Sequence, residues 1–310
     1  MGYLTIGVPQ GSILGPLLFL LYVNDFHNML RDVSAIQFAD DTSIFSTNSS
    51  LSDAISKIQF ELSNITEWLN NNELSLNILK TKYMIMSTQK LLKQDYIPIK
   101  IDGKDIDCVT EIQFLGVILD SRMTFKSHVY QIASKLSKGV GIMSRVKHSL
   151  YSESLKTVYN ALIKPYVTYC IIIWGGTDKT YLNKLEILLK RIVRMISNAD
   201  FNAHTKDLFK LHAIMTVGQL YEYFVAVFVY KCINCNMSNM PSAYSSYFHN
   251  NIMPRNSHNL RPGFCKKKVC ECSLKTMGPR IWNNIPTNIR NLNSLEYFKY
   301  KLRRYFIIVR

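Results

Sequence analysis

The sequence predicts an α+β protein in which a mixed first third precedes a mainly helical remainder. Short apolar segments separated by turn residues fill residues 1–120, whereas apolar residues recur at three and four beyond Ser121, as on a buried helix face. The charge changes at the same place: residues 1–120 carry 8 Lys and Arg against 14 Asp and Glu, and residues 121–310 carry 29 against 8. We therefore predict three regions: 1–120, 121–233, and an irregular 234–310 that ends in a helix.

The first third starts with an apolar run at residues 13–23. It is shorter than the roughly 20 residues that span a bilayer, contains Gly15 and Pro16, and lacks the basic segment of a signal peptide. Two later apolar runs, at residues 166–174 and 220–230, are also too short. We predict no membrane span.

A hairpin is predicted next, with strands at residues 35–38 and 42–45 around the turn Ala39-Asp40-Asp41. A helix follows, because apolar residues recur from Leu51 to Leu69 and three asparagines then stop it. Further short strands are predicted at residues 83–87, around the Asp102-Gly103 turn, and at residues 114–119.

Helical stripes dominate the remainder of the chain. They run over residues 129–143 and 181–196, with a third over residues 155–162 that is expected to end at Pro165, and a last one from Leu295 to Leu302. Lys and Arg decorate these helices, which favours a polyanion partner because they release counterions from phosphates. The alternative is a solvated basic surface without a partner.

Seven cysteines, an odd number at irregular spacings, do not describe a secreted disulfide framework. A reducing, intracellular location, cytoplasm or nucleus, is therefore expected. Five of them, with His258 nearby, are either zinc ligands or buried and free thiols: Cys232, Cys235, Cys265, Cys270 and Cys272.

Adjacent carboxylates at a hairpin turn expose oxygen ligands of the kind that Mg²⁺ binds and that two-metal phosphoryl transfer requires, although an Asp-Asp turn alone is usually only solvated. The motifs around Asp40-Asp41 follow in order: Gly7-Val8-Pro9-Gln10-Gly11-Ser12, Leu14-Gly15-Pro16-Leu17, Phe38-Ala39-Asp40-Asp41, Trp68 with Leu76-Asn77 and Lys80-Thr81, and Phe114-Leu115-Gly116. In these motifs the sequence resembles the reverse transcriptases of non-LTR retrotransposons of the jockey or CR1 kind. The stretches resemble motifs B, C, D and E of that family.

The resemblance implies a partial reverse-transcriptase palm at residues 1–120, followed by a mainly α-helical thumb and C-terminal domain. It implies that Asp40 and Asp41 are catalytic and hold Mg²⁺, and that an RNA template, a DNA primer and a dNTP are the partners. The implied substrate- and template-binding residues are Pro9, Gln10, Gly11, Lys80, Leu115 and Gly116.

The family's motif A supplies a further metal-binding Asp before motif B, and only six residues precede Gly7, where the stretch that resembles motif B begins. We therefore expect Mg²⁺-dependent nucleotidyl transfer from the complete enzyme and an incomplete, inactive site in this chain alone. A partial palm is expected to expose apolar surface at residues 13–23. The alternative is a non-catalytic, nucleic-acid-binding relic that uses only the basic helical region. The sequence does not indicate an oligomeric state.

Overall fold

Two compact units divide the chain. The structure is a computed structural model that describes residues 11–87, 97–234, 241–253, 256–263, 265 and 268–308. Unit 1 is Met1–Ile112 and unit 2 is Gln113–Arg310. Helices outweigh strands and every sheet of the described residues has two strands, which is consistent with the predicted α+β class. The predicted boundaries after residues 120 and 233 stay predictions.

Unit 1 is built on one long helix. Its elements begin with α1 (Gly15–Tyr22), a 3₁₀ turn at Phe26–Met29, β1 (Ser34–Phe38), β2 (Asp41–Phe45) and α2 (Leu51–Asn71). Helix α2 starts at Ser50, whose hydroxyl accepts from the Asp53 N–H, and it ends where Glu73 turns into the left-handed region. The predicted helix and its stop at the three asparagines are confirmed. The apolar stripe of α2 packs with Phe26 in the core of this unit.

Short strands complete unit 1. They are β3 (Lys82–Tyr83), β4 (Lys100–Ile101), β5 (Lys104–Asp105) and β6 (Asp107–Cys108). The turn between β4 and β5 has positive φ at both Asp102 and Gly103, as a two-residue hairpin requires, so that prediction is confirmed. The strand predicted at residues 83–87 is only two residues long, because β3 pairs with β6 only at Lys82 and Tyr83.

A hairpin, whose first strand begins with the last two residues of unit 1, and a group of helices form the first half of unit 2. Its elements are β7 (Glu111–Phe114), β8 (Val117–Asp120), α3 (Lys126–Val146), α4 (Ser152–Val158), a π-helical segment (Tyr159–Ile163), α5 (Lys164–Thr168), α6 (Ile171–Trp174), α7 (Lys179–Ile196), α8 (Lys206–Leu211) and α9 (Val217–Asn234). The predicted end at Pro165 is wrong. The chain continues through the π-helical segment into α5, where Pro165 occupies the first turn and its missing N–H is not needed.

The remaining elements are α10 (Ser242–Asn250), β9 (Ile252–Met253), β10 (Asn256–Leu260), α11 (Lys268–Glu271), α12 (Leu274–Asn283), α13 (Thr287–Arg290) and α14 (Leu295–Ile308). The region after residue 234 is thus more helical than predicted, since α10 and α12 both pack on α9. Helix α12 was not predicted because it contains Gly278 and Pro279, the two residue types with the lowest helix propensity. In the fold Gly278 makes room for Phe248, whose ring lies 3.0 Å from the position of a Cβ. The last predicted helix, from Leu295, is confirmed as α14.

Trp174 lies at the centre of the unit 2 core. Its side chain is fully buried, its Nε1 donates to the Tyr169 carbonyl over 2.8 Å, and the His128 ring meets it edge-on. The next residue is Gly175, and no larger side chain fits there because a Cβ would lie 2.5 Å from the Tyr221 ring. Burial, with Lys135 adding to it, lowers the pKa of His128, so the buried imidazole is neutral.

Glu61 fixes the chain just before β1. This buried carboxylate of α2 accepts the N–H groups of Arg31 and Asp32 over 2.9 and 3.0 Å, and the Asn64 amide over 3.1 Å. Burial by itself would raise the pKa of Glu61, but these hydrogen bonds and the charge of Arg31 together lower it. Glu61 therefore orients the hairpin that follows.

Helix α1 exposes apolar side chains rather than burying them. Leu21 is 65% exposed and Ile13 is almost fully exposed, whereas Val23 and Phe26 after them are buried. The Tyr22 hydroxyl donates to the Asn72 carbonyl, which fixes the end of α1 to the end of α2. The expectation of exposed apolar surface at residues 13–23 is confirmed. No helix within the described ranges is long and apolar enough to cross a bilayer.

Substituting Glu61 with Ala should destabilise unit 1 by about 1–3 kcal/mol, because two N–H groups lose their buried acceptor. The lowered pKa means that the carboxylate stabilises the fold above about pH 4.5 and that this contribution is lost as the pH falls through the folded pKa. Hydrogen exchange of residues 31–45, measured against pH, tests both statements. Glu67→Gln on the exposed side of α2 is the control and should exchange like the parent chain.

Replacing Leu17 and Leu21 with Gln should reduce self-association of the chain, because both side chains are exposed and Gln is an adequate helix former. Light scattering and binding of an apolar dye measure the effect, and the unfolding midpoint should stay the same. The matched change Leu62→Gln, at a side chain 8% exposed in the core, should instead unfold unit 1. Equal self-association of the double variant and the parent chain would show that α1 is not the contact surface.

Candidate active site

The Asp40-Asp41 pair lies at a two-residue hairpin turn. Phe38 pairs with Asp41 across β1 and β2, so Ala39 and Asp40 form the turn and Asp41 begins the second strand. The predicted hairpin is confirmed, with Asp41 moved from the turn into β2. Ala39 has φ 52, a left-handed conformation that costs a residue with a Cβ about 1–2 kcal/mol. The strand pairing on either side holds it there.

Both carboxylates are available to a ligand. Asp40 and Asp41 are exposed, and neither side-chain carboxylate forms a hydrogen bond or an ion pair with another described residue. The register places Asp41 on the hairpin face that also carries Ile36 and Phe38, and Phe38 is 61% exposed. Two cavities of about 610 and 650 Å³ in unit 1 are lined by other residues, so the pair lies outside both of them.

The two aspartates fit a magnesium ion in part. Carboxylate oxygens are its preferred protein ligands, and it is commonly held by one or two carboxylates together with substrate phosphates and water. In the part of the chain that the structure describes, no group of three or more His, Cys, Asp or Glu side chains is placed to hold a metal. The pair therefore offers two carboxylate ligands, and the remaining ligands of a bound Mg²⁺ would be substrate phosphates and water.

The other predicted residues of unit 1 are not joined to this pair. Pro9 and Gln10 lie outside the described residues. Gly11 has φ +89, a conformation that glycine adopts without strain, and no described atom lies within 4 Å of the position where a Cβ would stand. Lys80 is exposed in a turn, where its N–H donates to the Asn77 carbonyl over 3.1 Å. Among described residues, no hydrogen bond or ion pair links Gly11 or Lys80 to Asp40-Asp41.

Leu115 and Gly116 form a second tight turn, in unit 2. The strand predicted over residues 114–119 is in fact the hairpin of β7 and β8, because Leu115 (φ 44) and Gly116 (φ 82) both have positive φ. The Tyr169 hydroxyl donates to the Leu115 carbonyl over 2.6 Å, and its ring lies 3.4 Å from the Cβ position of Gly116. Tyr169 thus fixes this turn from a segment more than fifty residues away.

Asp120 fixes the loop between β8 and α3, a role that the sequence analysis missed. Its carboxylate accepts the N–H groups of Arg122, Thr124 and Phe125 and the Thr124 hydroxyl, at 2.6 to 3.2 Å. The available signal was a carboxylate followed closely by Ser121 and Thr124, since Asp commonly bonds the backbone two residues on. Asp120 is therefore engaged by its own loop.

Basic side chains cover the outer faces of α3 and α7. The Lys184 ammonium lies 4.0 Å from the centre of the Tyr130 ring, and that of Lys126 lies 5.8 Å from it. The ring of Tyr181 meets Tyr130 edge-on. Neither lysine forms an ion pair with a described carboxylate. This surface combines positive charge with aromatic rings, as nucleic-acid interfaces often do.

Cys232 does not support the hypothesis that the cysteines bind zinc. Its side chain is fully buried in the unit 2 core, and burial raises the pKa of its thiol to about 11. Zinc binds the thiolate, so a buried neutral thiol is the form that this position favours. Cys235 and the His258 side chain lie outside the described residues. Cys265, Cys270 and Cys272 are described, but they form no group of three or more side chains that could hold a metal ion with each other or with other described residues.

Gly116→Ala should destabilise unit 2 by about 1–2 kcal/mol, since a Cβ at φ +82 is strained and would press on the Tyr169 ring. Chemical denaturation measures the loss. The matched control is Gly141→Ala in the middle of α3, where nothing lies within 4 Å and the helix should gain about 0.5–1 kcal/mol. Changes of the same sign in both variants would contradict the assigned turn.

The chain is similar in sequence to a known protein family and to several known proteins. The family described as "Reverse transcriptase (RNA-dependent DNA polymerase)" matches residues 2–119. The RNA-directed DNA polymerase from mobile element jockey of Drosophila funebris is 26% identical over 216 residues, 66% of this chain and 23% of the relative. The probable RNA-directed DNA polymerase from transposon X-element of Drosophila melanogaster is 28% identical over 222 residues, which cover 68% of this chain and 24% of the relative. The one from transposon BS of the same organism is 28% identical over 226 residues, which cover 65% of this chain and 24% of the relative.

The chain spans about a quarter of the length of these curated relatives. No solved structure matches it. Residues 2–119 thus match the reverse transcriptase family, and the chain is homologous over about two thirds of its length to the RNA-directed DNA polymerases of the non-LTR retrotransposons jockey, X-element and BS.

Proposed function

We propose that this chain is part of an RNA-directed DNA polymerase in which Asp40 and Asp41 are catalytic carboxylates. The observation that carries the proposal is the pair itself: two exposed, unpaired carboxylates at a fixed hairpin turn, inside the segment that matches the reverse transcriptase family. The left-handed conformation of Ala39 belongs to the two-residue hairpin turn, which fixes the backbone that presents both aspartates.

Bound Mg²⁺ would supply activation of a primer 3′-hydroxyl and neutralisation of a triphosphate, which is electrostatic work. Asp40 and Asp41 would hold it through their carboxylate oxygens. By the family resemblance, Pro9, Gln10 and Gly11 would bind the incoming dNTP and template, Lys80 would bind a phosphate, and Leu115 and Gly116 would contact the primer. The open space at Gly11 and the exposure of Lys80 support these roles. In this proposal residues 1–120 contribute to a palm and the helical remainder to a thumb.

The chain by itself binds primer and template but extends the primer poorly or not at all. Two-metal transfer needs carboxylates that bridge two ions about 3.5–4 Å apart, and among the described residues no third His, Cys, Asp or Glu joins this pair in a group that could hold a metal. Binding has a part that depends on Mg²⁺ and the aspartates and a part that needs no metal ligand. The metal-independent part depends on the basic residues of unit 2, which lie on the outer faces of α3 and α7.

The second candidate is a protein that binds nucleic acid without catalysis. The surface of Lys126, Tyr130 and Lys184 favours it, because this surface is complete within unit 2 and independent of the aspartates. Affinity would then fall steeply with salt and would not respond to substitutions at Asp40 or Asp41.

The decisive experiment measures two properties of the 310-residue chain on one labelled RNA template with a DNA primer. Fluorescence anisotropy gives the affinity with and without Mg²⁺, and gel analysis gives primer extension. We expect binding in the parent chain and extension close to background. The Mg²⁺-dependent part of binding, and whatever extension occurs, should be lost in Asp40→Asn and Asp41→Asn, because an amide is a far poorer ligand for a hard cation.

Asp32→Asn is the control, since this aspartate is exposed two residues before β1 and should leave both measurements unchanged. Absence of any binding to primer and template would overturn the proposal. If the variants of the pair behave like the parent, the second candidate is preferred. Efficient Mg²⁺-dependent extension would refute the statement that the chain alone extends poorly.

A further inference from the structure

The outer face of α14 carries an ordered stripe of aromatic and cationic side chains. Tyr297, Tyr300, Lys301 and Arg304 follow the spacing of three, four and seven residues that aligns side chains on one face of a helix. Tyr297 is 47% exposed and Tyr300 is 53% exposed. We call these four residues the α14 stripe.

The members of the stripe are organised with one another. The two tyrosine rings are nearly parallel, with centres 6.4 Å apart and planes 18° apart. The Lys301 ammonium lies 5.2 Å from the Tyr297 ring centre, and the Arg304 guanidinium lies 5.8 Å from that of Tyr300. Arg304 also donates to the Tyr300 hydroxyl over 3.2 Å. These contacts hold the rings in place while leaving about half of each side chain open.

The positive charge of the stripe is not neutralised by the protein. Neither Lys301 nor Arg304 forms an ion pair with any carboxylate of the described residues, whereas Lys299 on the adjacent face pairs with Glu296 at 2.6 Å. Lys210 adds a third cation, because its ammonium donates to the carbonyl of Ile308 at the end of the helix. The stripe is therefore complementary to a chain of phosphates.

We propose that the α14 stripe binds an unpaired polynucleotide strand, with bases stacked on Tyr297 and Tyr300 and phosphates on Lys301 and Arg304. Exposed tyrosines beside cations are the elements of single-strand binding, since every base has a face that can stack on a ring. From Tyr297 to Arg304 the helix rises about 10 Å, which is roughly three nucleotides at 3.4 Å each. The inference rests on the proposed function, because it names where the chain holds its template or primer strand.

Two other ligands fit the stripe less well. A duplex offers phosphates but hides its base faces, so the exposed rings would have nothing to stack on. A membrane-surface helix inserts its apolar face, but the apolar face of α14 is already occupied: Phe298, Leu302 and Phe306 are fully buried in the unit 2 core. The outward face offers tyrosines and charges, and Ile308 is its one strongly exposed aliphatic side chain among described residues.

The test compares binding of the 310-residue chain to labelled twelve-nucleotide oligouridylate and oligothymidylate, a duplex of equal length, and vesicles of neutral and anionic phospholipid. The double variant Tyr297→Ala, Tyr300→Ala should bind the single strands at least about tenfold more weakly, given the usual contribution of base stacking. Tyr151→Ala is the matched control, because this tyrosine is 88% exposed and belongs to no cation–π pair of the described residues. It should bind like the parent.

The second variant, Lys301→Gln with Arg304→Gln, keeps the rings and removes the charge. The slope of log affinity against log salt should fall by about 1.4, at 0.7 per phosphate contact of a single strand. Lys299→Gln removes a charge that is already paired on the same helix, and its slope should stay close to that of the parent. Circular dichroism and thermal unfolding confirm that each variant folds.

Parent-like binding and salt slope in the two double variants would overturn the α14 stripe while leaving the proposed function intact. An equal loss of duplex binding would refute stacking, and loss of binding to anionic vesicles alone would assign the stripe to a membrane surface. If the parent chain binds no nucleic acid at all, both the inference and the proposed function fail. A stronger effect on oligouridylate than on oligothymidylate would identify the template as the occupant, and the reverse would identify the primer.

Discussion

Packing around Trp174 is the interaction on which the second unit depends, because that one indole meets His128 of α3, the Tyr169 carbonyl and the helices behind it. By accepting from the indole, Tyr169 is held where its hydroxyl can reach Leu115. A hydrogen bond from a buried indole thus supports the shape of an exposed turn. Gly175 belongs to the same arrangement, since Tyr221 occupies the space of its missing side chain.

The first unit solves a similar problem with a charge. Glu61 is taken out of water and accepts two consecutive backbone N–H groups, so the segment before β1 is fixed although its sequence has little intrinsic preference. The hairpin that follows can then expose Asp40 and Asp41 on a defined backbone. The same unit leaves the leucines of α1 and the outer face of the hairpin uncovered, so its core is small beside the apolar surface that it shows to solvent.

Charge and packing divide the chemistry between the units. The aspartates of the candidate active site belong to the acidic unit 1, and the excess of Lys and Arg belongs to unit 2, where it lies on helix faces whose opposite sides form the core. A helix with one apolar stripe necessarily presents its other residues outward. In α3, α7 and α14 those residues are basic and partly aromatic, so the fold concentrates positive charge without burying it.

The sequence by itself determined the helices whose apolar residues recur at three and four, namely α2, α3, α7 and α14, and the turn that carries Asp40, because helical period and turn chemistry are local properties. Only the tertiary structure decided that residues 114–119 are a hairpin, that the chain stays helical through Pro165, and that Gly278 and Pro279 lie inside a helix. It also decided that Glu61 and Asp120 are engaged by backbone and that the α14 tyrosines are held by cations. The physical reason differs between them: Glu61 and the turn at Leu115 are held by residues distant in sequence, which local patterns do not reveal. Asp120 and the α14 tyrosines are held by residues within five positions, but only the folded backbone shows which of the possible local contacts form.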